Sequence, residues 1–465
     1  MSVEINILGG FNTIGGNCVV IEDKDKKFGK TLLFDYGVNF STLFKYFPFY
    51  YYKEGRPRIN ELLTLECLPK LDEFKEKIDL CCFSHIHGDH FHSRYSFEAL
   101  KLYFSDRQEE VKPIFEPITY KIVSKENSYI KNYLKENSLT RKELGIPHHY
   151  LPSDNLLLFP VSHSSPAMSI LYESSEGVIL YTGDFRLHQN TLVDPKKCEN
   201  CERKNECNDY FFVQQRFSLL EIGKKLKESG RKIKVLICEG TNLTRVVVPL
   251  DANEINSLLE KILTKIRGLT IICRSEKDLE NFLAILDILE RIEKEFNIEK
   301  EVIISNRIRR FLSIISDSAK YFESFEFENV KEDIEKNPEK YVLIISTYEA
   351  LDLLRGEGEF GGFKLPKGSV FILDNSEPLS ESSEISEEEL MRWLRFYKIP
   401  VYRIHSSGHV YPHDLKELLE VLKPEILIPI HTENPYAFES ILPEETKLVV
   451  GRKIVISENK IEVKK

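Results

Sequence analysis

The sequence contains no run of about 18 uncharged apolar residues, so no membrane-spanning helix is expected. Its opening residues, MSVEINILGG, carry neither a basic leader nor an apolar stretch of signal-peptide length, and a cytoplasmic chain with no membrane partner is the expectation. No segment repeats at a solenoid period, and none is of low complexity. A disulfide framework is not expected either. Nine cysteines are an odd count in 465 residues, and several, such as Cys81, Cys82 and Cys273, sit in strand-like apolar runs. Nor is there an excess of positive charge. A formal net charge of −10 counts against a polyanion partner, although a bound cation with a local basic patch can hold a polyanion on an acidic protein. What remains is an ordinary globular composition, 42% hydrophobic and 30% charged, in a chain long enough for two domains.

The first part reads as short strands. VEINILGG and NCVVIED form a hairpin around FNTIGG, and TLLFDYG follows. IDLCCFS is a strand running into the polar loop HIHGDHFH, with a helix near SFEALKLYF; LLLFPVS, MSILYES and GVILYTGDF are further strands. From KVLICEG onward, the strands LTIIC, EVIIS, YVLIIS and SVFILD alternate with amphipathic helices such as DLENFLAILDILERIEKEF, the signature of a doubly wound parallel sheet. After the acidic stretch EPLSESSEISEEE come VYRIHSSGH, a helix at DLKELLEVL and the strand EILIPIH. These late strands again end in histidine, so the chain is expected to return to its first domain.

His85, His87, Asp89 and His90 stand in the spacing His-x-His-x-Asp-His directly after an apolar strand. A strand end feeding a short loop aims several side chains at one point, and neutral imidazoles with a carboxylate are donors that suit zinc. Four ligand-type residues in six positions outweigh the alternative of a histidine-rich surface loop. His163 after LLLFPVS, Asp184 in YTGDF and His431 in LIPIHTE close other strands. Each alone is an unremarkable polar residue; together they point to one site with enough donors for two ions.

The series FDYG with Asp35, SHIHGDH, VSHSSP, TGDF and IHTE resembles the ligand series of the metallo-β-lactamase superfamily, over residues 1–192 and from about 395 to 465. The resemblance implies an α/β fold, the αββα sandwich, with two zinc ions per chain: one held by His85, His87 and His163, the other by Asp89, His90 and His431, and Asp184 between them. Asp35 would orient a ligand imidazole. His92 has no role in the family pattern and reads as surface. About 200 residues separate Asp184 from the last histidine, and there KVLICEGT carries Glu239 while RIHSSGH carries His405, Ser406, Ser407, Gly408 and His409. These are similar to the extra motifs of the β-CASP nucleases, and the RNase J branch fits best through SSGHVYPHDLKELLEVLKPEILIPIHTE. That implies an inserted doubly wound β-CASP domain at 211–385, between a first part at 1–210 and a return at 386–465.

The activity implied is zinc-dependent hydrolysis of RNA, single-stranded and 5′-monophosphorylated, from the 5′ end; whether internal cutting occurs as well stays open. Asp89, Asp184, Glu239 and His409 would be catalytic, and His405, Ser406, Ser407 and Gly408 would bind phosphate, although a plain turn explains the serines equally well. His431 favours RNA, since DNA-directed members usually lack a histidine there. A DNA-directed nuclease, a small-molecule hydrolase and a non-catalytic scaffold are the alternatives; the insertion speaks against the second and the complete ligand set against the third.

Cys198, Cys201 and Cys207 form C-x2-C-x5-C, one thiolate short of a structural zinc or iron–sulfur site. His188 and Cys238 are candidates for the fourth ligand, and three reduced thiols are the equal alternative. The aromatic run FKYFPFYYYKEGRPR reads as core or homodimer interface ahead of a base-stacking channel with Lys45, Lys53, Arg56 and Arg58. GKKLKESGRKIK reads as a solvated helix face. The chain ends soon after its last strand, so dimerisation through the C-terminal domain of longer RNase J proteins is not expected.

Overall fold

The computed structural model describes residues 2–25, 29–48, 56–104, 111–115, 150–153, 155–188, 219–245, 250, 252–315, 327–375, 381–458 and 460–464. The chain divides into two units: the first is Met1–His188, Gln215–Val247 and Gly408–Lys465, the second Gln189–Gln214 and Val248–Ser407.

The first unit opens with β1 (Val3–Gly9), β2 (Cys18–Asp23), β3 (Thr31–Phe34), α1 (Phe40–Tyr46), α2 (Ile59–Thr64), β4 (Leu80–Cys82), α3 (Tyr95–Tyr103) and β5 (Lys112–Ile114). It continues through β6 (Tyr150–Ser153), β7 (Leu156–Val161), β8 (Ala167–Ser174), β9 (Gly177–Tyr181), α4 (Leu219–Glu228) and β10 (Ile233–Glu239). The second unit holds α5 (Ala252–Lys265), β11 (Thr270–Arg274), α6 (Leu279–Phe296), β12 (Glu301–Ile304), α7 (Asn306–Ile315), α8 (Phe327–Lys336), β13 (Tyr341–Ser346), α9 (Ala350–Arg355), β14 (Val370–Asp374), α10 (Glu381–Phe396) and β15 (Val401–Arg403). The first unit then resumes with α11 (Pro412–Leu422), β16 (Ile426–Ile430), β17 (Lys447–Leu448), β18 (Lys453–Ser457) and β19 (Lys460–Lys464).

Among the described residues the first unit contains two seven-stranded sheets, ordered β19-β18-β1-β2-β3-β4-β5 and β17-β16-β10-β9-β8-β7-β6. Alternation along each strand decides which faces meet. Ile5 and Ile7 of β1 and Val19 and Ile21 of β2 share one core with Leu158, Ile170, Val235, Ile237 and Ile428 of the other sheet. The alternate residues of the second sheet turn outward: Leu171, Leu180, Leu236 and Cys238 pack with Leu219, Ile222 and Leu226 of α4 and with Leu415, Leu418 and Leu422 of α11. On the outer side of the first sheet, Cys81 of β4 meets Phe97 and Leu100 of α3. Helix, sheet, sheet and helix thus form the αββα sandwich of the metallo-β-lactamase fold. Each fully buried Leu, Ile or Val contributes about 1.5–3 kcal/mol, so this double interface is the main stabilising term.

Among the described residues of the second unit five parallel strands run in the order β12-β13-β11-β14-β15. Ile271 and Cys273, Leu343 and Ile345, and Phe371 and Leu373 pack with Phe327 of α8, Leu353 and Leu354 of α9, and Leu390 and Leu394 of α10. Ile272, Ile344 and Ile372, which face the other way, are equally buried, so both faces are covered, as expected for a parallel sheet. Helix α6 shows how local signals set its ends: the Asp278 carboxylate accepts from the Asn281 amide at the start, and Asn297 takes a left-handed conformation (φ 53°) at the finish.

Two boundaries differ from the sequence reading. Strand β10, placed at the head of the insertion by its βα-like texture, lies between β9 and β16 in the first unit, parallel to both. Residues 386–403, read as part of the return, belong to the second unit, where β15 pairs with β14. The causes differ: β10 is a continuous apolar run that either unit's parallel sheet could take, whereas β15 is a three-residue, mostly exposed edge strand too short to mark its sheet. No helix among the described residues is long and apolar enough to cross a membrane.

Candidate metal centre

The histidine loop leaves β4 at His85 and is fixed by main-chain hydrogen bonds. The Asn17 amide donates to the Asp89 carbonyl (2.8 Å), the Tyr36 amide to His90 (2.8 Å) and the Val38 amide to Gly88 (2.9 Å). The approach leaves no room for a side chain at Gly37, where a Cβ would sit 1.8 Å from the Asp89 carbonyl oxygen.

Three imidazoles meet at one end of this loop. His85 Nε2 and His163 Nε2 each lie 3.0 Å from His87 Nδ1. His163 Nδ1 is 2.6 Å from the Gly408 carbonyl, which can only accept, so the proton sits on Nδ1 and Nε2 offers its lone pair. Burial, with neighbouring histidines adding to it, holds His85 well below the usual imidazole range. Burial and then His87 do the same for His163. A single proton on His87 Nδ1 can serve only one of these two neighbouring nitrogens, whereas a cation among the three satisfies every lone pair. Donors around a tetrahedral zinc-like ion stand about 3.3 Å apart, close to the spacing seen.

Asp184 is the hub. Its Oδ2 lies 3.1 Å from His90 Nε2, 3.6 Å from His85 Nε2, 3.8 Å from His431 Nε2 and 4.0 Å from His163 Nε2. Its Oδ1 is buried without a hydrogen-bond partner. Burial alone would push the Asp184 carboxyl up, but His431, His90 and His409 outweigh it and hold it well below the usual range. A buried carboxylate oxygen with no donor is costly, and a cation relieves that cost. Asp89 Oδ2 lies 3.0 Å from His431 Nε2 and completes a second group with His90. The residues fit a metal: His85, His87, His163 and Asp184 form one compact donor set, and Asp89, His90 and His431 another.

Asp35 sits beneath both sets, fully buried. It accepts from the Ser84 amide (2.6 Å), the Ser84 hydroxyl (2.7 Å) and the Tyr181 hydroxyl (2.5 Å), and His90 Nδ1 lies 2.7 Å from it. That contact turns His90 Nε2 toward Asp184. Burial would lower the His90 pKa, but Asp184 and Asp35 hold it well above the usual range; the two carboxylates favour positive charge here. Asp35 and His431 both adopt left-handed backbone, φ 56° and 55°, which non-glycine residues seldom take away from functional turns.

His409 and Glu239 adjoin the same hub. His409 Nδ1 lies 3.0 Å from Glu239 Oε2 and 3.7 Å from Asp184 Oδ2. Burial pulls the His409 pKa down, yet Glu239 and Asp184 raise it to about 9. Glu239 in turn accepts from the main-chain amides of Phe185, Thr241 and Val410, at 3.3, 3.3 and 3.4 Å, which fix its carboxylate.

No protein-family model matches the sequence. Ribonuclease J from Thermus thermophilus is 22% identical over 98% of this chain and 73% of its own length. Ribonuclease J from Pyrococcus abyssi is 21% identical over 98% of this chain and 96% of its own length. The chain is ribonuclease J-like. It spans only 45% of the length of some other relatives of that name. Among solved structures, a protein of unknown function from Enterococcus faecalis has the same fold, with a TM-score of 0.63 at 17% identity over 98% of this chain and 100% of its own.

In this ribonuclease J-like chain the remaining sequence candidates lie partly beside the donor groups and partly away from them. His405 lies in the second unit, with Nδ1 3.2 Å from Asp374 Oδ1, and Ser406 is buried in the same unit. Gly408 supplies the carbonyl to His163, and a Cβ there would sit 2.8 Å from that ring. His92 lies outside the donor groups; its Nδ1 accepts from the amides of Arg94 and Tyr95 at 3.3 Å, where α3 begins. Cys198, Cys201, Cys207 and Lys53 lie outside the described residues. Of their candidate partners, Cys238 is buried in β10, while His188 is exposed with Nε2 3.6 Å from Asp414 Oδ1. Six cysteines of the described residues are free and buried. In GKKLKESGRKIK, Lys224, Lys225 and Lys227 are exposed along α4 and its apolar residues face the core.

Five neighbours of the site have no distinctive spacing in the sequence: Asn17, Ser84, Tyr181, Thr182 and Thr241. Thr241 Oγ1 lies 2.8 Å from His431 Nδ1, Thr182 Oγ1 accepts from the Glu239 amide (3.3 Å), and Asn17 Nδ2 is 2.8 Å from His90 Nε2. Ser84, Tyr181 and Thr241 do share one signal: each stands within three residues of a candidate ligand or of Glu239, at a strand end.

Proposed function

We propose that the chain is a two-zinc ribonuclease of the β-CASP kind that acts on single-stranded RNA from a 5′ end in the cytoplasm, where its thiols stay reduced. The observation that carries the reading is the convergence of two ligand-type groups around Asp184 with the His409–Glu239 pair beside them. Two bound zinc ions would supply a hydroxide at neutral pH and offset charge on the phosphate oxygens. His85, His87 and His163 would hold one, and Asp89, His90 and His431 the other, with Asp184 shared.

The chain's own groups do the rest. Asp35 keeps the His90 ring turned toward the metal position. Glu239 accepts a hydrogen bond from His409 Nδ1–H, so that Nε2 carries the mobile proton. Glu239 favours the protonated form of His409, which can donate to the leaving oxygen.

The test is a time course on end-labelled RNA and DNA of one sequence. The parent is expected to degrade 5′-monophosphorylated RNA faster than DNA. Asp89→Ala should lose activity together with bound metal, while His409→Ala should slow the reaction about 10²–10⁴-fold with metal content unchanged. If both variants cleave as fast as the parent, the reading is wrong.

A further inference from the structure

Between Met391 and Arg403 the sequence MRWLRFYKIPVYR holds four cations, four aromatic rings and no carboxylate, in a chain whose acids outnumber its bases by ten. The segment covers the end of α10 and all of β15, the edge strand of the second unit's sheet. Three of its rings are not core residues. Phe396 is 74% exposed, Tyr397 44% and Tyr402 41%. Phe396 stands edge-on to Tyr397 with ring centres 5.2 Å apart, and Tyr397 stacks on Trp393 at 6.0 Å. Arg355 lies over the Trp393 ring, 5.7 Å from its centre.

The charges at this face divide into paired and unpaired. Arg355, Arg392 and Arg403 pair with Glu389, Glu388 and Glu387. Arg395 and Lys398 are exposed and have no carboxylate partner among the described residues. Exposed rings set beside unpaired cations are what a single strand uses, since each base has a face to stack and each phosphate a charge to neutralise. A second copy of this chain suits the face less well, because a symmetric contact would set Arg395 and Lys398 against their own likes.

We propose that this face of the second unit binds single-stranded nucleic acid, with Phe396 and Tyr397 stacking bases and Arg395 and Lys398 meeting phosphates. The choice of RNA as the natural ligand rests on the ribonuclease reading above; the stacking surface itself does not.

The experiment is fluorescence anisotropy of the full chain with a labelled phosphorothioate oligouridylate, which resists cleavage, across a series of salt concentrations. Phe396→Ala with Tyr397→Ala should weaken binding about ten-fold or more for each ring removed. Arg395→Gln with Lys398→Gln should lower the slope of log K against log salt by about 1.4, the share of two phosphate contacts on a single strand. The inference is overturned if both double variants bind like the parent, if the loss is as large for duplex RNA, or if the parent is a dimer that Phe396→Ala dissociates. Both variants should hydrolyse bis(p-nitrophenyl) phosphate at the parent rate. A parent with no phosphodiesterase activity would sink the ribonuclease reading, while the salt slope would still decide this one.

Discussion

Beyond the carboxyl ends of β9, β10 and β16 in the first unit stand Asp184, Glu239 and His431; at those of β11, β13 and β14 in the second stand Arg274, Ser346 and Asp374. The second set pairs opposite charges within the protein, although Asp278, Asp374 and His405 also form a group of metal-donor type and Arg274 Nη1 makes no hydrogen bond among the described residues. Arg274 lies 3.6 Å from both Asp278 and Asp374, Ser346 Oγ donates to Glu276 (2.8 Å), and Glu349 and Glu359 accept the first amides of α7, from Arg307 at 3.1 Å and Asn306 at 3.0 Å. In the first set the donors face one another and an Asp184 oxygen is left without a partner. Parallel strands bring polar groups together at their carboxyl ends in both units. What separates a structural network from a metal site is whether opposite charges and donors cancel within the protein.

The strongest way to break this comparison is at Asp184. Asp184→Asn should remove bound metal and slow phosphodiester hydrolysis by at least about a thousand-fold, read by elemental analysis and turnover. Retention of both would mean that the hub is structural, like its counterpart in the second unit. Asp374→Ala tests the other side: it strips one carboxylate from the buried Arg274 and should cost about 3 kcal/mol in urea unfolding, with metal content untouched. An unchanged midpoint would show that the ion pairs do not close that edge.

A finer distinction concerns support rather than ligation. Asp35→Asn should weaken metal binding about 10–100-fold in competition with a chromophoric chelator, without unfolding the chain. The smallest effect is expected at Glu359. Burial, helped by Glu349, raises its pKa from 4.5 to about 7. The folded state therefore binds a proton that the unfolded chain releases, so this group's contribution to stability is full below 4.5 and fades as pH rises through about 7. Partial exposure screens it, and a slight flattening of the stability profile between those values in Glu359→Gln is the result to look for. A profile identical to the parent's would assign that slope to other groups.

Much of the first set was legible in the sequence because metal donors are few in kind and tolerate little variation in position. His85, His87, Asp89 and His90 sit in six residues, and His163, Asp184 and His431 each close an apolar strand. The strands themselves follow from uninterrupted apolar runs such as VLICE and ILIPI. Which unit owns a strand was not legible, as the apolar β10 and the short, exposed β15 both show, because pairing partners far apart in the chain decide it. The supporting residues were hidden for a different reason. Ser84, Tyr181 and Thr241 act through a hydroxyl, and hydroxyl residues are common everywhere. The sequence offered Gly408 as a phosphate binder and gave no sign of its carbonyl's contact, because a main-chain acceptor leaves no mark on the sequence; here that carbonyl holds His163.

That bond has an energetic corollary. It joins His163 Nδ1 to a carbonyl 245 residues away, and the very next residue is His409. Whatever stabilises the ring of His163 also stabilises the backbone that presents His409, and by thermodynamic reciprocity the reverse holds to the same degree. If an ion binds at His163 and His409 is the proposed acid, the two are coupled, and a chain that has lost its grip on the first should also hold the second more loosely.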